Sequence, residues 1–420
     1  MQQILQTAIE KGCLGEGRPL AAFVDTNGTR ETIRNLQKAF PAHFEHAFAA
    51  KANTMKAALQ LVLESGMSCE AASPGELEQA IRAGFEPDRI VYDEPSKTRS
   101  ILERVLDLGV ALNIDNFQEL ERVESLLQEI PLRSRIGIRI NPQVGAGEIG
   151  AMSTATESSK FGVALEDKGN RQALLDAYRR HRWLTAVHCH VGSQGCSLDL
   201  MGRGVRKTVD LALDINASAG SQQVQVIDIG GGLPVNFDSD EVIPTFEDYA
   251  NHLRSKVPEL FAGDFRVLTE FGRSIFAKNG FIASRVEYTK TSGGRRIAAT
   301  HAGAQVATRT VFMPEHWKLR VSVFDSRGKL KKGDDGPCDV AGPLCFSGDL
   351  VACGVSLPTI EPGDYVVLHD TGAYYFSNPF YYNSFPAPPV FGLTTDASGA
   401  LAFTTWRKQQ TLEEVLNVIG

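Results

Sequence analysis

Short apolar, β-rich runs recur along the first two thirds of the chain: EHAFAAK (45–51), MSCEAA (67–72), RIVYD (89–93), VALNID (110–115), RIGIRIN (135–141), LTAVHCHV (184–191), VQVIDIG (224–230) and RVLTEF (266–271). The segments between them, such as TMKAALQLVLESG and PGELEQAIRAG, carry apolar residues at helical spacing and often end in Gly or Pro. Eight such units over about 250 residues have the rhythm of a (β/α)8 barrel, whose helical crossovers favour a parallel sheet. A doubly wound open sheet is the competing arrangement. The barrel is preferred because polar and glycine residues gather where barrel chemistry sits: Lys51, Ser73, Asp115, Asn141, His190, Gly230 and Glu270 each close or follow a strand.

After about residue 285 the pattern changes to short alternating runs rich in Gly, Pro and Thr, among them RRIAATHAG, WKLRVSVFD, DLVACGVSL, DYVVLHDTGAYYF and AFTTWR. This predicts a C-terminal antiparallel β-domain. SRGKLKKGDDGP (326–337) is charged and Gly-rich, as expected of a solvated hairpin or loop. The expected division is a barrel over 25–285 and a β-domain formed by 1–24 and 286–420.

The composition narrows the function class. The 420 residues are 43% apolar, with 43 Lys+Arg against 50 Asp+Glu, enough for one large core and a second, smaller one. The formal charge of -7 shows no basic excess that would track a phosphate backbone, so nucleic acid is excluded as a main partner. No apolar run approaches the roughly 20 residues of a membrane span, and the N-terminal stretch has no basic region followed by an apolar core. The expectation is a soluble, cytoplasmic enzyme acting on a small molecule. Seven cysteines without a CxxC pair point to reduced thiols.

Lys51 ends the run AFAAK, where a core strand would carry an aliphatic residue. It reads either as a lysine whose stem packs while its amine snorkels, or as a nucleophilic amine freed by partial burial. Gly230, Gly231 and Gly232 follow the seventh run, where barrels often cradle a phosphate on bare backbone N–H groups; a tight turn is the plain alternative. The spacing GxGxxG is absent, which argues against a dinucleotide. Glu270 closes the eighth run beside Gly272 and Arg273, so its partner is either that arginine or the protonated ring nitrogen of a pyridinium cofactor. His188 and His190 alternate onto one strand face, but no third ligand at suitable spacing accompanies them. A ring stacked on a flat cofactor is the more economical use of a histidine there, and no metal is expected.

Taken in order, AAKAN around Lys51, AASPGE with Ser73 and Glu76, KFG (160–162), HVGSQ (190–194), GGG (230–232), EFGR (270–273), GPLCFSGD (342–349) and TGAYY (371–375) resemble the fold-type III pyridoxal-phosphate decarboxylases. That group contains diaminopimelate decarboxylase and the eukaryotic-type ornithine decarboxylases. The resemblance implies pyridoxal phosphate as cofactor, with Lys51 as the lysine that holds it and His190 stacked on its ring. It further implies a phosphate-binding set of Ser193, Gly230, Gly231, Gly232, Gly272, Arg273 and Tyr374, with Glu270 at the pyridine nitrogen. Cys345 and Asp349 resemble the pair that reaches the active site from the other subunit of a head-to-tail homodimer, with Cys345 suited to protonate the substrate carbon. Arg273, Arg309, Phe346 and Asp349 complete the implied substrate set.

The substrate end departs from the pattern. Diaminopimelate decarboxylases carry glutamate right after the cysteine, and here that residue is Phe346. Arg309 falls where the family has an arginine for a distal carboxylate, while the nearby tyrosine position is Met313. Phe271 replaces a usual proline in EFGR. The expected activity is decarboxylation of an amino acid or modified amino acid, such as one bearing a distal carboxylate or acyl group, rather than of meso-diaminopimelate. The rivals are diaminopimelate decarboxylase itself, a racemase on the same fold, which Glu270 disfavours, and a small barrel-type cofactor carrier, which the β-domain disfavours.

Overall fold

The computed structural model describes residues 1–420. Its contacts divide the chain into two units, one of Thr32–Val235 and Ile243–Ser274, the other of Met1–Glu31, Asn236–Val242 and Ile275–Gly420. No helix is long and apolar enough to cross a membrane.

Strand β1 (Leu20–Asp25) belongs to the second of these. The first is a closed parallel barrel of β2 (Phe44–Ala49), β3 (Ser68–Ala71), β4 (Ile90–Tyr92), β5 (Ala111–Ile114), β6 (Ile136–Asn141), β8 (Leu184–Cys189), β9 (Val226–Asp228) and β10 (Arg266–Phe271). Closure comes from β10 pairing with β2. A two-residue strand, β7 (Val163–Ala164), pairs with the end of β6. These eight strands are the eight apolar runs of the sequence, and they read as continuous apolar runs because helices cover one face and the barrel interior the other. Helix boundaries follow the side-chain chemistry: Ser73, Thr98, Asn116 and Ser197 each cap the helix they precede by accepting a backbone N–H, and Gly84, Gly109 and Gly220 end helices with left-handed backbone.

Alternation inside the barrel sets the level of the chemistry. Leu268 packs with Ala47, Val91 and Ala111 in an apolar layer. Two residues on, Glu270 lies on the same face one level nearer the strands' carboxyl ends. Phe271 points the other way, into an aromatic cluster with Phe246 and Tyr249, so the position usually held by proline is filled here by packing in the helical layer.

The second unit is a curled sheet of β1, β11 (Gly280–Ser292), β12 (Arg295–Thr300), β13 (Val321–Phe324), β14 (Pro337–Ala341), β15 (Leu350–Ser356), β16 (Tyr365–Leu368), β17 (Val390–Thr395) and β18 (Leu401–Arg407). It is mixed rather than wholly antiparallel: β1 runs parallel to β17 and β12 parallel to β14. The N-terminal segment supplies β1, whose Phe23 stacks on Phe281 at 4.9 Å between ring centroids and on Phe391 at 5.7 Å. Helix Ala304–Phe312 interrupts the strands and was not visible as a helix in the alternating sequence pattern. Residues 326–336 form a loop with an isolated bridge from Leu330 to Phe324, in keeping with their charge and glycine content, while Pro337, the last residue of the segment read as loop, already begins β14.

Candidate active site

Lys51 does not lie in β2 but in the single 3-10 turn Ala50–Ala52 that follows it. The flanking Ala50 and Ala52 are fully buried, which fixes the turn, while the lysine side chain keeps 38% of its surface exposed. Its Nζ sits 2.5 Å from Oε2 of Glu70 on β3. The amine therefore stands at the barrel mouth against a buried acid, not in bulk water. Burial pushes the Glu70 carboxyl up to about 7, with Lys51 opposing that rise.

Further around the barrel a line of charges alternates in sign. Arg139 of β6 donates to Asp93, just past β4, at 2.5 Å. Asp93 faces Nδ1 of His188 on β8 at 3.4 Å, and Nε2 of His188 faces Glu270 on β10 at 3.5 Å. These four side chains are almost fully buried. Burial alone would raise both acids, but Arg139 and His188 outweigh it at Asp93 and pull it to about 2. At Glu270 burial is likewise outweighed, chiefly by His188, and the carboxyl lies well below its usual range. Asp228 shows the opposite outcome: burial and the nearby Glu270 hold it well above the usual carboxylate range. Asp93, His188 and Glu270 bring one ligand atom each within 4.8 Å of one another. The imidazole stands between the acids and Arg139 flanks the outer one, so both carboxylates already have cationic partners.

His190 follows β8 by one residue. Its Nδ1 accepts the Gly231 N–H at 3.2 Å, which leaves the ring proton on Nε2, and burial keeps the ring below the usual histidine range despite Glu270 at 3.8 Å. The glycine turn is closely fitted: a Cβ on Gly231 would overlap the Glu270 carbonyl, and one on Gly232 the Gly192 carbonyl. Gly230 and Gly232 also have φ of 65° and 95°, conformations only glycine adopts readily. Asp228 pins the turn by accepting the Gly230 N–H at 3.0 Å. Gly272 lies against Ala49 and Ala52, so the segment carrying buried Arg273 abuts the Lys51 turn. Ser193 sits in the loop after β8, its N–H bonded to the Met152 carbonyl at 3.0 Å.

In the other unit, Arg309 rides on helix Ala304–Phe312, and its guanidinium covers the Tyr374 ring at 4.3 Å and Trp317 at 5.2 Å. Cys345 is exposed, and its N–H donates to Asn383 at 2.8 Å. Asp349 is buried and accepts the Ala304 and Leu344 N–H groups at 2.7 Å each, so its carboxylate clasps the Cys345 loop to the helix. Phe346 stacks on Phe312 at 5.5 Å in a ring of aromatics completed by Tyr382 and Phe380.

Four members of the barrel site escaped the sequence reading: Glu70, Asp93, Arg139 and Asp228. The available signal was a charge in the middle or at the end of an otherwise apolar strand. His188 reads in the sequence only as a candidate metal ligand. At the opposite end of the strands, cavities of about 640 and 790 Å³ share His43, Arg133, Arg135 and Arg266, on the face where barrel folds concentrate stability rather than chemistry.

The sequence model described as "Pyridoxal-dependent decarboxylase, pyridoxal binding domain" matches residues 27–277. The chain belongs to the pyridoxal-dependent decarboxylases. It is 31% identical over 366 residues to the diaminopimelate decarboxylase of Helicobacter pylori strain J99, covering 86% of this chain and 87% of that one. The corresponding enzyme of Methanothermobacter thermautotrophicus is 32% identical over 383 residues, covering 89% and 86%. A crystal structure of the H. pylori enzyme complexed with L-lysine superposes with a TM-score of 0.82 at 28% identity, over 95% of this chain and 96% of that one. Lysine/ornithine decarboxylase of Vibrio vulnificus shares the fold at a TM-score of 0.77 and 21% identity, over 93% and 98%. The decarboxylase is thus a carboxy-lyase that uses pyridoxal phosphate. Its barrel fits that cofactor: an amine, a turn of backbone N–H groups that no Cβ can enter, a buried ionised carboxylate and a neutral imidazole face meet at the strands' carboxyl ends.

Proposed function

We propose that the decarboxylase removes CO2 from a modified amino acid whose distal end carries a carboxylate or acyl group rather than a second amine. Bound pyridoxal phosphate supplies the electron sink for the pair left behind when CO2 departs. Lys51 is the amine that holds the cofactor, and the N–H groups of Gly230 to Gly232, with Ser193, Gly272, Arg273 and Tyr374, bind its phosphate. His190 packs its flat, neutral face on the ring. Glu270, anionic in the barrel centre, keeps a proton on the ring nitrogen and so strengthens the sink. Cys345 and Asp349 serve the site of a second copy of the chain in a head-to-tail homodimer, with the exposed Cys345 thiol delivering a proton to the substrate carbon and Asp349 fixing its loop.

The observation that carries the substrate class is Phe346 within its aromatic ring, directly after Cys345. An aromatic there offers an ammonium a ring face but no carboxylate and no hydrogen-bond acceptor, so a distal amine would lose the charge-assisted hydrogen bonds that a glutamate at this position supplies. Arg309, stacked on Tyr374, retains a cation for an anionic or carbonyl group. The relatives named above favour a second reading, diaminopimelate decarboxylation. Release of CO2 from a panel of amino acids and their acylated and carboxylated derivatives, with meso-diaminopimelate included, separates the two. Preferred turnover of meso-diaminopimelate would overturn the proposed class.

A further inference from the structure

His188 is the one buried imidazole with an acid opposite each ring nitrogen, Asp93 at 3.4 Å and Glu270 at 3.5 Å, and its side chain is fully enclosed. Resting on the cofactor site proposed above, we infer that His188 is a positioning residue, a fixed cation whose charge keeps Glu270 an anion so that the shared proton resides on the cofactor's ring nitrogen.

Four carboxyl groups, Glu70 on β3, Asp93 after β4, Asp228 on β9 and Glu270 on β10, converge in a buried space and are each less than a tenth exposed. Like charges at such range in low dielectric drive at least one acid to take up a proton. The groups facing His188 are Asp93, Asp228 and Glu270, with Arg139 of β6 beyond Asp93 and His190 and Lys51 toward the mouth. Which acid holds a proton is decided by the cations: Arg139 is committed to Asp93 at 2.5 Å, and Lys51, 2.5 Å from Glu70 without cofactor, is taken up in holding the cofactor when it is bound. That leaves His188 as the cation adjoining Glu270, while Asp228, which instead accepts the Gly230 N–H and faces the Asn113 amide at 3.4 Å, is the acid that becomes neutral. The strong rise of Asp228 and the fall of Glu270 agree with this ordering. Take the positive charge away and the ordering reverses, because a buried Glu270 without it is the cheaper acid to protonate. A protonated Glu270 donates a hydrogen bond instead of accepting one, and the ring nitrogen loses its proton.

A charged His188 and a merely packed one differ in what their loss moves. With holoenzyme carrying pyridoxal phosphate labelled with 15N in the ring, wild type is expected to show a protonated ring nitrogen across pH 6 to 9. In His188→Gln, which keeps the volume and polarity but not the charge, the cofactor stays bound while the ring-nitrogen signal shifts to the unprotonated position. Its kcat falls by about 100-fold, the size of effect seen when one preorganised electrostatic group is removed, with KM little changed. A folded, loaded variant whose ring nitrogen remains protonated overturns the inference and leaves the cofactor site standing. Wild type that fails to bind the labelled cofactor overturns both. Should the variant not fold, 15N spectra of histidine-labelled wild-type holoenzyme decide: one imidazole carrying two protons at every pH from 6 to 9 supports the inference, and the absence of such a signal defeats it.

Discussion

At the scale of single residues, the site consists of ordinary side chains whose properties are set by what surrounds them. Lys51 is legible in the sequence because a cation ends an apolar run, and its role is checked directly: Lys51→Ala is expected to abolish the visible absorbance of the bound cofactor together with CO2 release, and a retained band would contradict the assignment. Glu70 was not legible, since one acid in MSCEAA has no partner until β2 and β3 are side by side. Its proton is held more tightly folded than unfolded, with a folded value of about 7 against 4.5. Its contribution to stability is therefore fully present below pH 4.5 and is lost as pH rises toward 7. In cofactor-free protein, the stability of wild type relative to Glu70→Gln should fall by about 3 kcal/mol over that interval. Urea unfolding at several pH values measures it, and a gap that does not change with pH would show that Glu70 is ionised throughout.

At the scale of elements, strand and helix positions were readable because apolar period and caps agree, as in the Ser73-capped helix Pro74–Ala83 that ends at Gly84. Helix Ala304–Phe312 was not, because HAGAQVATRTVF sits among alternating runs and its helical state depends on Asp349 clasping its first turn. The glycine turn after β9 was expected to matter for its N–H groups. The structure adds a steric reason, since the Glu270 carbonyl occupies the space of any side chain at Gly231. Gly231→Ala should displace the turn and weaken cofactor binding by more than about tenfold, a cost of roughly 1.4 kcal/mol or more, without removing the Lys51 amine. Titration of the stripped protein with pyridoxal phosphate reads the change, and unaltered affinity would separate the turn from the phosphate.

At the scale of the whole molecule, the barrel brings together residues from Lys51 to Arg273, and the proposed homodimer makes its own demand. Lys51→Ala and Cys345→Ala, each severely impaired alone, should regain about a quarter of wild-type activity when mixed and allowed to exchange subunits, because half the dimers then carry one intact site. No recovery would mean that both residues serve the same subunit. For the substrate, Phe346→Glu places a carboxylate in the aromatic ring beside Cys345 and is expected to raise CO2 release from meso-diaminopimelate relative to the preferred substrate; an unchanged ratio would remove Phe346 from the specificity determinants. The sequence by itself determined the eight barrel strands and the change to a strand-rich C-terminal region, because apolar period, capping residues and glycine turns are local properties. Only the tertiary structure decided which acids are charged. Glu70, Asp93, Asp228 and Glu270 are equivalent carboxylates along the chain, and they become different once barrel closure sets Lys51 against the first, Arg139 against the second and His188 between the second and the last. Charge interactions in a buried space depend on distance and not on sequence order.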